Sequence, residues 1–134
     1  MKILQRETTH PDISGLEAFL IEYNQQSNVA DSTKYAFAAY DEQGTCLGAL
    51  QGRYRSFSWA ELNLLGVSQK GSGVGTQLYQ AAEAFLKSKN CKAVCLSTLG
   101  NQAEGFYKKL GFTEYARLPS FTGEYDRIFM KKEF

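Results

Sequence analysis

Leu62-Asn63-Leu64-Leu65-Gly66-Val67-Ser68-Gln69-Lys70-Gly71-Ser72-Gly73-Val74-Gly75-Thr76-Gln77-Leu78 reads as an apolar strand, a glycine-rich turn and the start of a helix. Leu62, Leu64, Leu65 and Val67 form a short, nearly continuous apolar run, the pattern of a strand covered on both faces. Gly71, Gly73 and Gly75 follow in strict alternation. Val74, Leu78, Ala81, Ala82 and Phe85 then recur at helical spacing. Glycines at such a junction admit positive φ and let a ligand approach the backbone closely. The first N–H groups of the helix have no internal partner and stand at the positive end of its dipole. The product is a socket for an anion, most often phosphate. The alternative is a tight strand-to-helix turn without a ligand, but three alternating glycines exceed what a turn needs.

The rest of the composition sets bounds. A chain of 134 residues suits one domain, drawn over 1–134 because no linker or internal repeat appears. No stretch approaches the roughly 18 apolar residues that span a membrane. The start, Met1 to Glu7, turns polar too soon for a signal peptide. The three cysteines, Cys46, Cys91 and Cys95, are odd in number and lack paired spacing, as expected of reduced thiols in a cytoplasmic protein. Cys91 and Cys95 have neither a second pair nor nearby histidines, so no metal site is expected. Cys95 lies in an apolar run and reads as core. A net charge of +1 gives no general reason to bind nucleic acid. The only histidine, His10, stands beside Pro11 and reads as structural; any histidine-based triad would have to rest on it.

Read in order, Met1 to Thr8 is expected as a first strand. Thr9 or Asp12 would cap a helix with Pro11 in its first turn, whose face carries Ile13, Leu16, Phe19, Leu20 and Tyr23. Tyr35–Tyr40 and Thr45–Arg55 flank an Asp41–Gly44 turn as a hairpin, and Phe57–Val67 is the next strand. The helix after the glycines runs to about Lys89 and stops at Asn90. Ala93–Leu99 is a strand, Gln102–Leu110 a helix stopped by Gly111, and Phe112–Leu118 and Tyr125–Lys132 are two last strands. Strand, helix, strand around the glycines implies a parallel pair with a right-handed crossover. The expected class is α/β (α+β): a mixed, mostly antiparallel sheet of about seven strands, with helices on both faces.

Two familiar phosphate motifs fit poorly. A P-loop needs a lysine directly before its Ser or Thr, but Gly75 precedes Thr76. The dinucleotide fingerprint G-x-G-x-x-G fails by one residue, and the position that should be acidic is Cys95. The sequence instead resembles the GNAT superfamily of acyl-CoA-dependent N-acyltransferases. Lys70-Gly71-Ser72-Gly73-Val74-Gly75 is similar to that family's pyrophosphate loop, with Lys70 where Arg or Gln is usual. Gly105-Phe106-Tyr107-Lys108-Lys109-Leu110-Gly111-Phe112 is close to its helix-to-strand signature.

The resemblance implies a fold in which two central parallel strands splay and hold the pantetheine arm of acetyl-CoA, with CoA as product. Leu65, Gly66 and Val67 would line that arm through their backbones. Lys70, Gly71, Ser72, Gly73, Val74, Gly75 and Thr76 would hold the pyrophosphate, and Asn101 and Tyr107 would also meet the cofactor. The implied reaction moves an acetyl group from sulfur to a primary amine of a small molecule or peptide, by direct attack in a ternary complex. An alkylamine is mostly protonated at neutral pH, and removing its proton costs about 4 to 5 kcal/mol. Glu61 matches the family's base or substrate-orienting carboxylate, and Tyr107 its acid for the leaving thiolate. The Val67 N–H would meet the oxyanion. Trp59 and Asn63 would share Glu61's face and touch the acceptor, since strand side chains alternate; Tyr54, Tyr125 and 24–32 are further candidates for its pocket. A homodimer through the strand from Tyr125 is the expected assembly, since edge strands invite partners. A non-catalytic acyl-CoA-binding module is the competing reading.

Overall fold

The computed structural model describes residues 1–26, 31–100 and 103–134. They belong to two compact units, Met1–Asp31 and Ser32–Phe134. The first unit holds α1, Pro11–Gln26. Pro11 opens it, where a missing N–H costs nothing. Its cap is neither Thr9 nor Asp12. The Asp12 N–H donates to His10 Nδ1 at 3.1 Å, and the His10 carbonyl accepts from the Ile13 and Ser14 N–H groups. The histidine is therefore a helix cap.

No strand forms over Met1–Thr8, and among the described residues there are six strands rather than the expected seven. Ile3 and Leu4 are adjacent rather than alternating, so the segment offers no single apolar face to a sheet.

The second unit runs β1 (Thr33–Tyr40), β2 (Cys46–Tyr54), β3 (Trp59–Val67), α2 (Val74–Ser88), β4 (Ala93–Leu99), α3 (Glu104–Lys109), β5 (Thr113–Thr122) and β6 (Tyr125–Glu133). Its sheet has the order β1-β2-β3-β4-β6-β5. β3 and β4 are parallel, and the other four neighbouring pairs are antiparallel. The β1–β2 turn closes on Asp41, whose Oδ1 accepts the N–H groups of Gln43 and Thr45. α2 is stopped by Asn90 at φ 63°, a left-handed conformation that asparagine tolerates.

The core lies between the sheet and α2. Leu50, Val94, Ile128 and Met130 of the strands and Tyr79 and Leu86 of the helix are almost wholly buried. Each such burial stabilises by about 1.5–3 kcal/mol. The helix stripe is Leu78, Tyr79, Ala82 and Leu86; Ala81, expected inside, is exposed. Phe85 closes the stripe's edge against Tyr35, Phe37 and Tyr54, with ring centroids 5.5–5.9 Å away.

β6 folds back between β4 and β5, so the strand from Tyr125 is not the sheet edge on which the homodimer expectation rested. β5 is the edge on that side.

β3 carries a bulge. Gln51 pairs with Leu64 and Gly52 with Leu62, which leaves Asn63 as the extra residue. Gly52 makes this possible. A Cβ there would overlap the Glu61 carbonyl oxygen and lie 2.5 Å from Tyr35 Oη, whose hydroxyl donates to that carbonyl at 2.9 Å. Gly52→Ala is expected to destabilise the fold by about 1–3 kcal/mol, the usual cost of forcing atoms into a packed site. Thermal unfolding reads this directly, and an unchanged Tm would contradict the packing described.

Candidate active site

β3 and β4 pair only over Trp59↔Ala93, Ala60↔Val94 and Glu61↔Cys95. β3 then continues to Val67 and β4 to Leu99 with no rungs between them. Each strand stays laddered on its outer side, β3 to β2 through Val67 and β4 to β6 through Leu99. The bulge at Asn63 turns β3 just where the pairing ends. The Gly66 carbonyl faces β2, since a Cβ on Gly48 would lie 2.7 Å from it. Successive backbone groups of a strand point to opposite edges, so those of Leu65 and Val67 face the gap. Backbone donors and acceptors inside a sheet are normally paired; here the gap leaves a row of them for a ligand. Gly66 has nothing within 4 Å of where its Cβ would be.

The glycine loop stands at the end of that gap. Gly71 and Gly73 have φ of 77° and 83°. Their sites have space for a Cβ but a conformation that L residues resist. Gly73 is the N-cap of α2 and provides no side-chain cap. Its carbonyl accepts from the Gln77 N–H at 3.1 Å. That leaves the N–H groups of Val74, Gly75 and Thr76 in the helix's first turn, without the internal partners that later residues have. Ser72 Oγ donates to the Gln69 carbonyl at 2.8 Å, which sets the loop's shape, and Lys70 is exposed beside it. Gly75 serves packing: a Cβ there would lie 3.3 Å from Phe106 Cζ and 3.7 Å from Val67 Cγ1. The end of β3, the first turn of α2 and α3 converge at this glycine.

Tyr107 sits on α3, buried, with its ring 5.1 Å from Phe106 and 5.5 Å from Phe112 between centroids. Burial pushes its phenol above the ordinary range, so it stays protonated at neutral pH. It lies in the core cluster with Ala60 and Leu62 of β3.

Glu61 faces the other side of the sheet. Ala60 and Leu62 are buried towards α2, so Trp59 and Glu61 point away from it. The Glu61 carboxylate is half-exposed, with Arg55 Nη1 3.8 Å from its Oε1. Asn63, the bulge residue, is exposed, and so is Leu64 after it, between core-facing Leu62 and Leu65. Beyond it, Leu65 and Val67 turn to the core, and Leu64 and Gly66 take the Glu61 side. Tyr54 packs on Phe85, across the sheet from Glu61, which removes it from any pocket on that face. Asn101, Gln102 and 27–30 of the 24–32 stretch lie outside the described residues.

Cys95 is not core, as the apolar run suggested. It is half-buried on Glu61's face, in register with Glu61, while Val94 and Leu96 fill the core. Burial, then the Glu61 charge, raises its thiol pKa, which keeps it protonated and a poor nucleophile. Arg55 and Cys95, the immediate surroundings of Glu61, escaped the sequence reading. Alternation from Val94 was the signal for Cys95; Arg55, in the turn between β2 and β3, carries no such signal.

An ionic cluster braces α3 on the helix side. Arg117 of β5 meets Glu114 at 2.6 Å, Asp126 at 3.0 Å and Glu104 at 3.2 Å; Glu104 also takes Lys108 at 2.8 Å. The carboxyl of Glu104 is held below its ordinary range by Lys108, that of Glu114 by Arg117, and that of Asp126 by the Ser120 N–H and then Arg117. Groups with depressed pKa stabilise the fold above their unfolded values, near about 4, and that support is lost as pH falls through the folded values. Arg117→Met is expected to flatten the fall in Tm between about pH 5 and pH 3. An unaltered acid slope would show the cluster to be mere surface pairing.

The model of the acetyltransferase (GNAT) family matches residues 2–112, which include both the glycine loop and the Tyr107 helix. The chain belongs to the GNAT family. That family consists of acetyl-CoA-dependent acetyltransferases. A blasticidin-S acetyltransferase from Streptomyces morookaense is 32% identical over 90 residues, and the match spans 65% of each chain. A crystal structure of an acetyltransferase from Bacillus cereus ATCC 14579 shares the fold at TM-score 0.86, with 24% identity, over 99% of this chain and 98% of that one. An aminoglycoside 6'-N-acetyltransferase complexed with coenzyme A shares it at TM-score 0.67 and 19% identity, over 99% of this chain and 97% of that one. The interrupted β3–β4 ladder is thus set within a GNAT sheet. Among the described residues, no helix is long and apolar enough to cross a membrane.

Proposed function

We propose that this GNAT protein transfers an acetyl group from acetyl-CoA to a primary amine of a small molecule or peptide. Transfer is by direct attack within a ternary complex. The observation that carries the reading is the gap between β3 and β4, with the glycine loop at its end. One feature of the chain fits the cofactor at each point. The N–H groups of Val74, Gly75 and Thr76 suit its pyrophosphate, with Lys70 adding charge. The Leu65 and Val67 backbones suit the pantetheine amides. The bound cofactor supplies an activated thioester.

The chain's own residues supply the rest. Tyr107 holds a proton for the departing thiolate, and its burial favours the protonated form. Glu61 accepts the amine proton or orients the amine, from the other face of the sheet. The Val67 N–H is the donor for the developing oxyanion. The raised pKa of Cys95 favours direct transfer over an acyl-cysteine route. Family relatives named for blasticidin S and for an aminoglycoside support a small-molecule acceptor. The family match runs from the first compact unit into the second, which supports reading 1–134 as one domain. Three free thiols fit a cytoplasmic setting.

The test is a screen of amines for CoA release from acetyl-CoA, with the acetylated product identified by mass. Amine-dependent release with an N-acetyl product is expected. Tight acetyl-CoA binding with no release from any amine would instead favour the non-catalytic acyl-CoA-binding module.

A further inference from the structure

A third arginine on Glu61's face, beside Arg53 and Arg55, is held in place without a counter-charge among the described residues. Ile128 and Met130 fill the core, so Arg127, Phe129 and Lys131 of β6 point to the opposite side, with Cys95 and Ser97 of β4. Arg127 is half-buried. Its Nε and Nη2 both donate to Ser97 Oγ, at 3.2 and 2.8 Å. Its guanidinium carbon lies 5.1 Å from the Phe121 ring centroid and 5.7 Å from that of Phe129. Among the described residues no carboxylate stands within ion-pair distance of it. Arg117, on the helix side, is the contrast: it holds three carboxylates.

Holding a cation half-dry against a neutral hydroxyl is costly unless something anionic completes it. The bond to Ser97 and the two rings fix the planar group while leaving donors of Nη1 and Nη2 open. A fixed guanidinium suits a carboxylate through two parallel bonds. Its place is also defined. Ser97 is two residues beyond Cys95, the register partner of Glu61. By strand geometry that is about 7 Å along the strands and about 5 Å across them. Arg53 flanks Glu61 on the other side as its register partner, and its Nη1 donates to Ser32 Oγ at 2.9 Å. Arg55 is already taken by Glu61.

We propose that the acceptor carries a carboxylate several bonds from its reacting amine, and that Arg127 binds this carboxylate while the amine sits beside Glu61. The proposal rests on the acetyltransferase reading above and narrows its substrate class to amino acids in the broad sense. Ser97 is the positioning residue, because it holds the guanidinium in place.

Calorimetric titration of the CoA-saturated protein tests it, with ε-aminocaproate and the equally long n-hexylamine as probes. ε-Aminocaproate is expected to bind at least tenfold more tightly than n-hexylamine. Arg127→Met is expected to abolish that preference and leave n-hexylamine binding as it was, with Arg127→Lys intermediate. Ser97→Ala removes a single oxygen and is expected to weaken only ε-aminocaproate, which keeps the test informative if Arg127→Met fails to fold. Equal binding of the two probes, binding of neither, or no effect of Arg127→Met and Ser97→Ala would overturn the proposal. Saturation with CoA is measured first, so failure to bind CoA marks the acetyltransferase reading itself as the error.

Discussion

Replacing Glu61 with glutamine and Tyr107 with phenylalanine together is expected to take turnover below detection while acetyl-CoA still binds. The two groups act on different protons from opposite faces of the sheet, so neither replaces the other. Tyr107→Phe alone removes one hydroxyl and keeps the ring that packs on Phe106 and Phe112. A positioned proton donor contributes typically ~100-fold or more. A 100-fold loss in kcat corresponds to about 2.7 kcal/mol of transition-state stabilisation. The fold should keep its Tm, since the ring stays. Because burial raises the phenol's pKa, the wild-type rate should show no alkaline loss from this group until pH exceeds the ordinary tyrosine value of about 10. Steady-state kinetics and acetyl-CoA titration on the same preparations separate chemistry from binding. Turnover surviving in the double variant removes both residues from the mechanism.

Gly73→Val should abolish useful acetyl-CoA binding by a different route. The position is spacious, with nothing within 4 Å of a Cβ, so no clash is involved. The constraint is φ, 83° at Gly73. A left-handed conformation costs an ordinary residue roughly 1–2 kcal/mol and is a genuine outlier for a β-branched one. An exposed loop escapes that cost by relaxing. Relaxation moves the first N–H groups of α2 away from where an anion is met. Affinity is expected to fall at least ~30-fold, about 2 kcal/mol, with a much smaller change in Tm. Gly73→Ala should fall between, because alanine visits the left-handed region with less strain. Affinity unaffected by valine would mean that the loop does not hold the cofactor.

The features written locally in the sequence were the ones it revealed. The glycine loop, the Ala93–Leu99 strand and the Asn90 stop each depend on a few neighbouring residues, and each stands where expected. Features that depend on a partner strand were hidden. The bulge at Asn63 exists because Gly52, far away in sequence, leaves room for the Glu61 carbonyl and the Tyr35 hydroxyl. With it, Asn63 and Leu64 fall together on the exposed side, between core-facing Leu62 and Leu65, a doubling that alternation alone does not reveal. Cys95 looked like core because its run is apolar, yet only one side of β4 there meets the helix layer. The order of the last two strands was hidden for the same reason. A hairpin's sequence fixes that β5 and β6 pair, not which of them meets β4. Arg127 drew no notice because its meaning comes from Ser97 and two rings brought together by the fold.

The most direct measurement is isothermal titration of the purified protein with acetyl-CoA, with CoA, ATP and NAD as controls. Saturable binding of acetyl-CoA and CoA at one site per chain is expected, with no comparable binding of ATP or NAD. Folded protein that binds neither CoA species, or that prefers ATP or NAD, would contradict the acetyltransferase reading.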